Sequence, residues 1–288
     1  MPSEPRPYAT RNTHYALCLA TGPTPDAEID GELELAAEAG FACVELWAPA
    51  LDAYLARHPV VGLDLQMQQC GISRLVINGL APLAIRVGPD AEDTPINQAR
   101  FLELCTHLDA LGGGTIVLHP AAQEENVGGS EAIRRLLRIY ADLAAPFEVT
   151  LAFEFRVDSA IPTLNAARDL VGRLARRNLR LSLSAREWRA GEAEPRALDA
   201  IVSSPLALVH LDVPHSLPAQ TSAAAESSPA GEELSSTLAL CSHLAAAGFR
   251  GPYCISAASG AGERLERAQS ARQAALDLLA SLYAANSA

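Results

Sequence analysis

The chain contains no lysine: all 22 of its basic residues are arginine. Schiff-base catalysis by a lysine amine, and any lysine-bearing phosphate loop, are thereby excluded. Positive charge is also the minority sign, with 34 acidic residues and a net charge of −12. Nucleic-acid backbones and anionic membrane surfaces select basic partners, so the sequence predicts neither. Paired cysteines are missing as well. Cys18, Cys43, Cys70, Cys105, Cys241 and Cys254 each stand alone inside an apolar pattern, with no Cys-x-x-Cys and no His–Cys cluster. They read as buried thiols in a reducing compartment. No apolar run reaches the roughly 18 residues of a membrane helix. The opening MPSEPRPYATRNTHY is polar and proline-rich, without a signal-peptide core. A cytoplasmic protein is expected.

What the chain does have is apolar residues, 49% of 288, enough for a large core. That length suits two average domains, or one α/β barrel of about 250 residues. Eight short apolar runs alternate with helical patterns: His14–Thr21, Phe41–Trp47, Ile72–Asn78, Thr115–His119, Val149–Phe155, Leu179–Ser184, Leu206–Asp212 and Pro252–Ser256. Between them, Ile29, Leu33, Ala36 and Ala37 share a helical face before Gly40. Phe101, Leu104, Cys105, Leu108 and Leu111 repeat that face before Gly112, and Leu234, Leu238, Cys241 and Ala245 repeat it before Gly248. Ala275, Leu278, Leu279 and Leu282 form the last such face. Near-continuous apolar strands alternating with amphipathic helices predict a parallel sheet covered by helices. Eight units close naturally into a single (β/α)8 TIM barrel over residues 1–288, with 1–13 as an N-terminal tail. An open doubly wound sheet is the alternative, but no GxGxxG follows the first strand. Residues 213–231, VPHSLPAQTSAAAESSPAG, follow the seventh run and read as a long active-face loop, either a lid or a mobile insertion.

In a parallel barrel the chemistry lies at the C-terminal ends of the strands. The stretch FEVTLAFEFR, residues 147–156, ends its apolar run abruptly in Glu154, followed by Phe155 and Arg156. A carboxylate there must be solvated, paired or metal-bound. The other strand ends carry Glu45 and Trp47, Asn78, His119, Ser184 and Glu187, His210 and Asp212, and Ser256, with His215 just beyond. Carboxylates and imidazoles meeting on one face are the parts of a divalent-metal site or an acid/base pair. Taken singly, each has an ordinary explanation: His119 could bond a loop before Pro120, Asp212 could cap a turn, and His215 could sit in water.

The segments GFACVELW (40–47), LAFEF (151–155), LRLSLSAREW (179–188), ALVHLD (207–212) and PAGEEL…LAAAGFRGPYCIS (229–256) resemble the sugar phosphate isomerase/epimerase family of xylose-isomerase-like barrels. That family also takes in inosose dehydratases and, more distantly, apurinic DNA-repair endonucleases. The resemblance runs from about residue 14 to 285. It implies a TIM barrel with one divalent metal, Mn or Mg, held by Glu, Asp, His and Glu on strands five to eight. Glu154 falls on the first glutamate and His210 on the histidine. Ser184 stands at the aspartate position and Ser256 at the final glutamate, and the family's Asp-x-x-His is here Ser184-Ala-Arg-Glu187. Glu187, His119 and Asp212 are the further candidate ligands. The loop after strand seven lacks the arginine that often binds substrate there.

The resemblance implies an enzyme of carbohydrate metabolism, an isomerase, epimerase or inosose-dehydratase-like lyase acting on a sugar, polyol or sugar phosphate. It would abstract a proton next to a carbonyl, with Glu154 and His210 catalytic. Arg156, Trp47, Asn78, His119, Glu187, Asp212, His215, Ser184 and Ser256 would line the substrate site. Family members are often dimers or tetramers, so the resemblance admits a homodimer. The competing reading is a non-catalytic, metal-free barrel that binds a carbohydrate-like ligand or a partner protein. A repair nuclease is disfavoured by the acidic charge and the missing metal ligands.

Overall fold

A computed structural model describes residues 16–22, 28–80, 98–125, 128–191, 198, 206–212, 229–256 and 263–285. Eight parallel strands close into a barrel in chain order. They are β1 (Leu17–Ala20), β2 (Cys43–Trp47), β3 (Arg74–Asn78), β4 (Gly114–Leu118), β5 (Val149–Glu154), β6 (Leu179–Ser184), β7 (Leu206–Asp212) and β8 (Tyr253–Ser256). The helices are α1 (Ile29–Glu38), α2 (Ala48–Leu55), α3 (Val60–Cys70), α4 (Gln98–Ala110), α5 (Gly129–Ala144), α6 (Leu164–Leu174), α7 (Ala185–Ala190), α8 (Pro229–Ala246) and α9 (Arg264–Ala285). All eight expected strands are present. The connection from β2 to β3 differs from the simple repeat, because Pro59 divides it into two helices. Proline cannot donate to an ongoing helix, so the chain stops and restarts there.

Two apolar layers hold the barrel. The outer one packs helix faces onto the outward strand residues, including Leu33, Phe101, Leu104, Leu137, Tyr140 and Leu279, all buried. Phe101 of α4 and Tyr140 of α5 meet edge to face at 4.8 Å. The inner layer is a separate cluster of Cys18, Cys43, Val76, Val117, Ala152, Leu208 and Cys254. Strand side chains alternate between faces, so the residue two places further on points the same way. Counting two from these gives Ala20, Glu45, Asn78, His119, Glu154, His210 and Ser256. The polar strand ends are thus the next inward level above an apolar plug.

Local signals place the ends. Thr163 caps α6 by accepting from Ala166 N at 3.2 Å. Gly113 turns into β4 with φ +97°, where a Cβ would lie 2.5 Å from the Glu148 carbonyl oxygen, so only glycine fits. The guanidinium of Arg264 grips both oxygens of the buried Glu32 at 2.7 Å, tying α9 to α1 where the ring of helices closes. Among the described residues no helix is long and apolar enough to cross a membrane.

Candidate functional site

The level above the plug is a cycle of five side chains, four on strands and the fifth, His119, just past the end of β4. Glu45 Oε2 and His210 Nε2 lie 2.6 Å apart. His210 Nδ1 and Glu154 Oε2 lie 2.7 Å apart. His119 Nδ1 faces Glu154 Oε1 at 3.7 Å, longer than a hydrogen bond. His119 Nε2 reaches Asn78 Oδ1 at 3.0 Å, and Asn78 Nδ2 donates to Glu45 Oε1 at 2.9 Å. Below the cycle, Ser182 Oγ donates to Glu154 Oε2 at 2.6 Å. Both carboxylates are buried, and both histidines are half-buried.

The donors and acceptors around the cycle orient Asn78 and both histidines. Asn78 Oδ1 accepts from Gly79 N at 2.7 Å, and its amide nitrogen must face the Glu45 carboxylate, which only accepts. The Asn78 oxygen therefore faces His119, and Nε2 of His119 must be the N–H. In the neutral ring Nδ1 is then a lone pair aimed at Glu154. His210 has a carboxylate on each nitrogen, which favours the doubly protonated ring.

The electrostatics agree. Burial would push the Glu154 carboxyl up. The charge and hydrogen bond of His210, with His119 and the Ser182 hydroxyl, outweigh it and hold the group down at about 2. Burial opposes ionisation of Glu45 too, but His210 and Asn78 lower it below the usual carboxylate value. Burial would also lower His210, yet Glu45 and Glu154 raise it well above the ordinary imidazole value. In His119, burial wins against Glu154 and Glu45, and the ring is easier to deprotonate than usual.

The structure brings Glu154, His210, Asn78 and His119 together. Trp47 ends β2 at the rim, its indole pressed against Gly79, where a Cβ would lie 2.1 Å from the ring. Ser256 ends β8, half-buried, opposite Ala20 and Asp212 in register. Other expected residues are engaged elsewhere. Ser184 Oγ accepts from Glu187 N at 3.3 Å, so this hydroxyl is the N-cap of α7. The Glu187 carboxylate accepts from Val157 N at 3.0 Å, holding the turn after β5 and standing outside the cycle. Arg156 forms a fork with Asp158 at 3.0 and 2.7 Å. His215 and residues 213–228 lie outside the described residues. Glu45 is visible in the sequence as a strand-end carboxylate without a role of its own, whereas Ser182 and Cys254 lie inside their apolar runs and carry no strand-end signal. The available signal was the alternation: each sits an even number of places from another inward residue of its own strand.

A family model described as a xylose isomerase-like TIM barrel matches residues 33–281. The chain belongs to the xylose isomerase-like TIM barrel family. Among solved structures it is similar to the IolI protein, crystallised with a bound zinc atom, at 19% identity and TM-score 0.70, over 92% of this chain and 98% of that one. It is similar to D-psicose 3-epimerase from Clostridium cellulolyticum H10, solved with D-tagatose, at 16% identity and TM-score 0.70, over 93% and 99%. L-ribulose 3-epimerase gives 16% identity and TM-score 0.72, over 95% and 97%. At such identities the likeness is one of fold. No curated protein sequence matches the chain.

The hard-metal site that the family resemblance implies does not fit this xylose isomerase-like barrel. Mn and Mg ask for several oxygen donors, carboxylates foremost. Of the four expected positions only Glu154 and His210 keep a ligand-type side chain, while β6 offers Ser182 and Ser184 and β8 offers Ser256. Glu154 Oε2 is already taken by Ser182 and His210.

Proposed function

We propose that this xylose isomerase-like barrel is an isomerase or epimerase, or an inosose-dehydratase-like lyase, acting on a sugar, polyol or sugar phosphate by proton transfer at a carbon next to a carbonyl. The observation that carries the reading is the asymmetry of Glu154. One oxygen is anchored by Ser182 and His210 at 2.6 and 2.7 Å, while Oε1 takes no hydrogen bond among the described residues and faces the mouth-level His119. An ionised carboxylate with one fixed and one open edge has the geometry of a positioned general base. Glu45 cannot share that task, because Asn78 occupies one of its oxygens and His210 the other.

Glu154 Oε1 would accept the carbon-bound proton. His119 Nδ1, the acceptor 3.7 Å away, would take a substrate hydroxyl proton or receive the proton from Glu154 for return. Two acceptors facing one another call for a donor between them, and a polyhydroxylated substrate supplies one. The Glu45–His210 pair would hold Glu154 in place and keep it ionised. The neighbours named as D-psicose and L-ribulose 3-epimerases support this substrate class.

The test is deuterium uptake from heavy water into ketoses, aldoses and inososes, without and with their phosphates. Exchange by the wild type that falls at least about 10²-fold in Glu154→Gln is expected. Exchange that survives in Glu154→Gln refutes the assignment of the base. No exchange with any member of the panel overturns the enzyme reading in favour of a ligand-binding barrel.

A further inference from the structure

Three inward thiols lie on neighbouring strands where the barrel closes. Cys18 of β1 is in register with Cys43 of β2 on one side and Cys254 of β8 on the other. All three are buried. Cys254 is also in register with His210 of β7. Ligand atoms of Glu45, His210 and Cys254 all lie within 4.8 Å of one another. A carboxylate, an imidazole and a thiol converge here from β2, β7 and β8.

That donor set is wrong for a hard dication and right for a borderline one. Zinc-type ions accept oxygen, nitrogen and sulfur in a four-coordinate shell, and reactive sites use three protein ligands with the fourth position open. A second observation is independent of the cluster itself. Histidines that bind metal through one nitrogen generally present the other to a carboxylate, which fixes the ring and raises its basicity. His210 Nδ1 already holds Glu154 Oε2 at 2.7 Å, leaving Nε2 on the side of Glu45.

We propose that Glu45, His210 and Cys254 form a site for a borderline divalent cation of the zinc type, with Glu154 as the positioning residue on the far side of His210. The ion takes the place of the proton between Nε2 and Glu45. Thiolate and neutral imidazole are the ligating forms, so binding releases protons. This differs from the family's expected arrangement in its ligands, drawn from strands two, seven and eight, and in its preference for a thiolate-binding ion. It goes beyond the proton-transfer reading and does not depend on it.

The test is titration of the full-length, chelator-stripped protein with cobalt(II) alone. One equivalent is expected to bind, with a thiolate-to-cobalt charge-transfer band, four-coordinate visible bands and release of protons into weak buffer. Cys254→Ala is expected to lose the charge-transfer band, and Glu154→Gln to keep it with about 10–100-fold weaker affinity. Cys18→Ser is expected to keep both band and affinity. Far-UV circular dichroism establishes that each variant is folded. Should Cys254→Ala not fold, Glu45→Gln serves instead, with a fall in affinity of at least 10-fold expected. Absence of a sulfur band in the wild type overturns the proposal. So does a band that survives in Cys254→Ala or vanishes in Cys18→Ser, or an affinity unmoved by Glu45→Gln. Cobalt binding without deuterium exchange into any sugar sinks the proton-transfer reading alone, and exchange without the sulfur band sinks this site alone.

Discussion

Asn78→Leu tests whether the cycle of side chains is a working assembly. The substitution keeps the size of the side chain and removes three hydrogen bonds at once. The donation from Nδ2 to the Glu45 carboxylate, at 2.9 Å, is charge-assisted and contributes about 1.5–3 kcal/mol. The two bonds that Oδ1 accepts, from Gly79 N at 2.7 Å and His119 Nε2 at 3.0 Å, contribute about 1 kcal/mol each. Asn78 is only half-buried, so water recovers part of that sum. The expected net loss is about 2–4 kcal/mol, or about 5–15 °C in Tm for a large domain. The paired assay is nitrogen NMR of His119. In the wild type the proton sits on Nε2, because Asn78 Oδ1 demands a donor. In the variant that demand is gone and the tautomers redistribute. A loss below about 1 kcal/mol, together with an unchanged tautomer, would show that Asn78 does not orient His119.

Stability should also follow pH in a defined way in the metal-free protein. His210 is raised in the folded state, so its contribution is complete below its unfolded value of about 6.5 and fades as pH climbs through the raised one. Glu154 is depressed to about 2, so its contribution is present above its unfolded value of about 4.3 and fades as pH falls toward 2. The advantage of the wild type over Glu154→Gln in Tm should therefore be greatest between these limits, and a flat difference across pH would contradict the clamp. Gly79→Ala forces a Cβ to 2.1 Å from the Trp47 ring at a φ of +78°. It should cost at least about 1–2 kcal/mol from the backbone alone and shift Trp47 emission, read against the buried Trp188. Native thiol labelling at pH 8 should reach the half-buried Cys70 first. Burial holds Cys105 and Cys241 at about 12, where the reactive thiolate is scarce, and fast labelling of either would refute their placement.

Much of this protein was determined by its sequence alone. Eight apolar runs, helical faces closed by Gly40, Gly112 and Gly248, and polar residues where the runs stop are local patterns, and local periods of 2 and 3.6 are enough to write a parallel barrel. Glu154, His210, Asn78 and His119 stood out because a polar group ending an apolar strand needs a partner. Ser184 and Glu187 stood out for the same reason, yet α7 begins at once after β6 and takes the Ser184 hydroxyl as its cap, so Ser182, two residues earlier, is the serine that meets Glu154. The centre of the site was decided by tertiary structure. Glu45 and His210 are 165 positions apart, on strands that are not neighbours in the sheet, and they meet across the interior. Cys18, Cys43 and Cys254 read as three ordinary buried thiols until β1 and β8 join and set them side by side. The alternation of a strand tells which of its residues point inward. Which inward residues of different strands share a level depends on the stagger with which the sheet closes, and no single stretch of sequence carries that quantity.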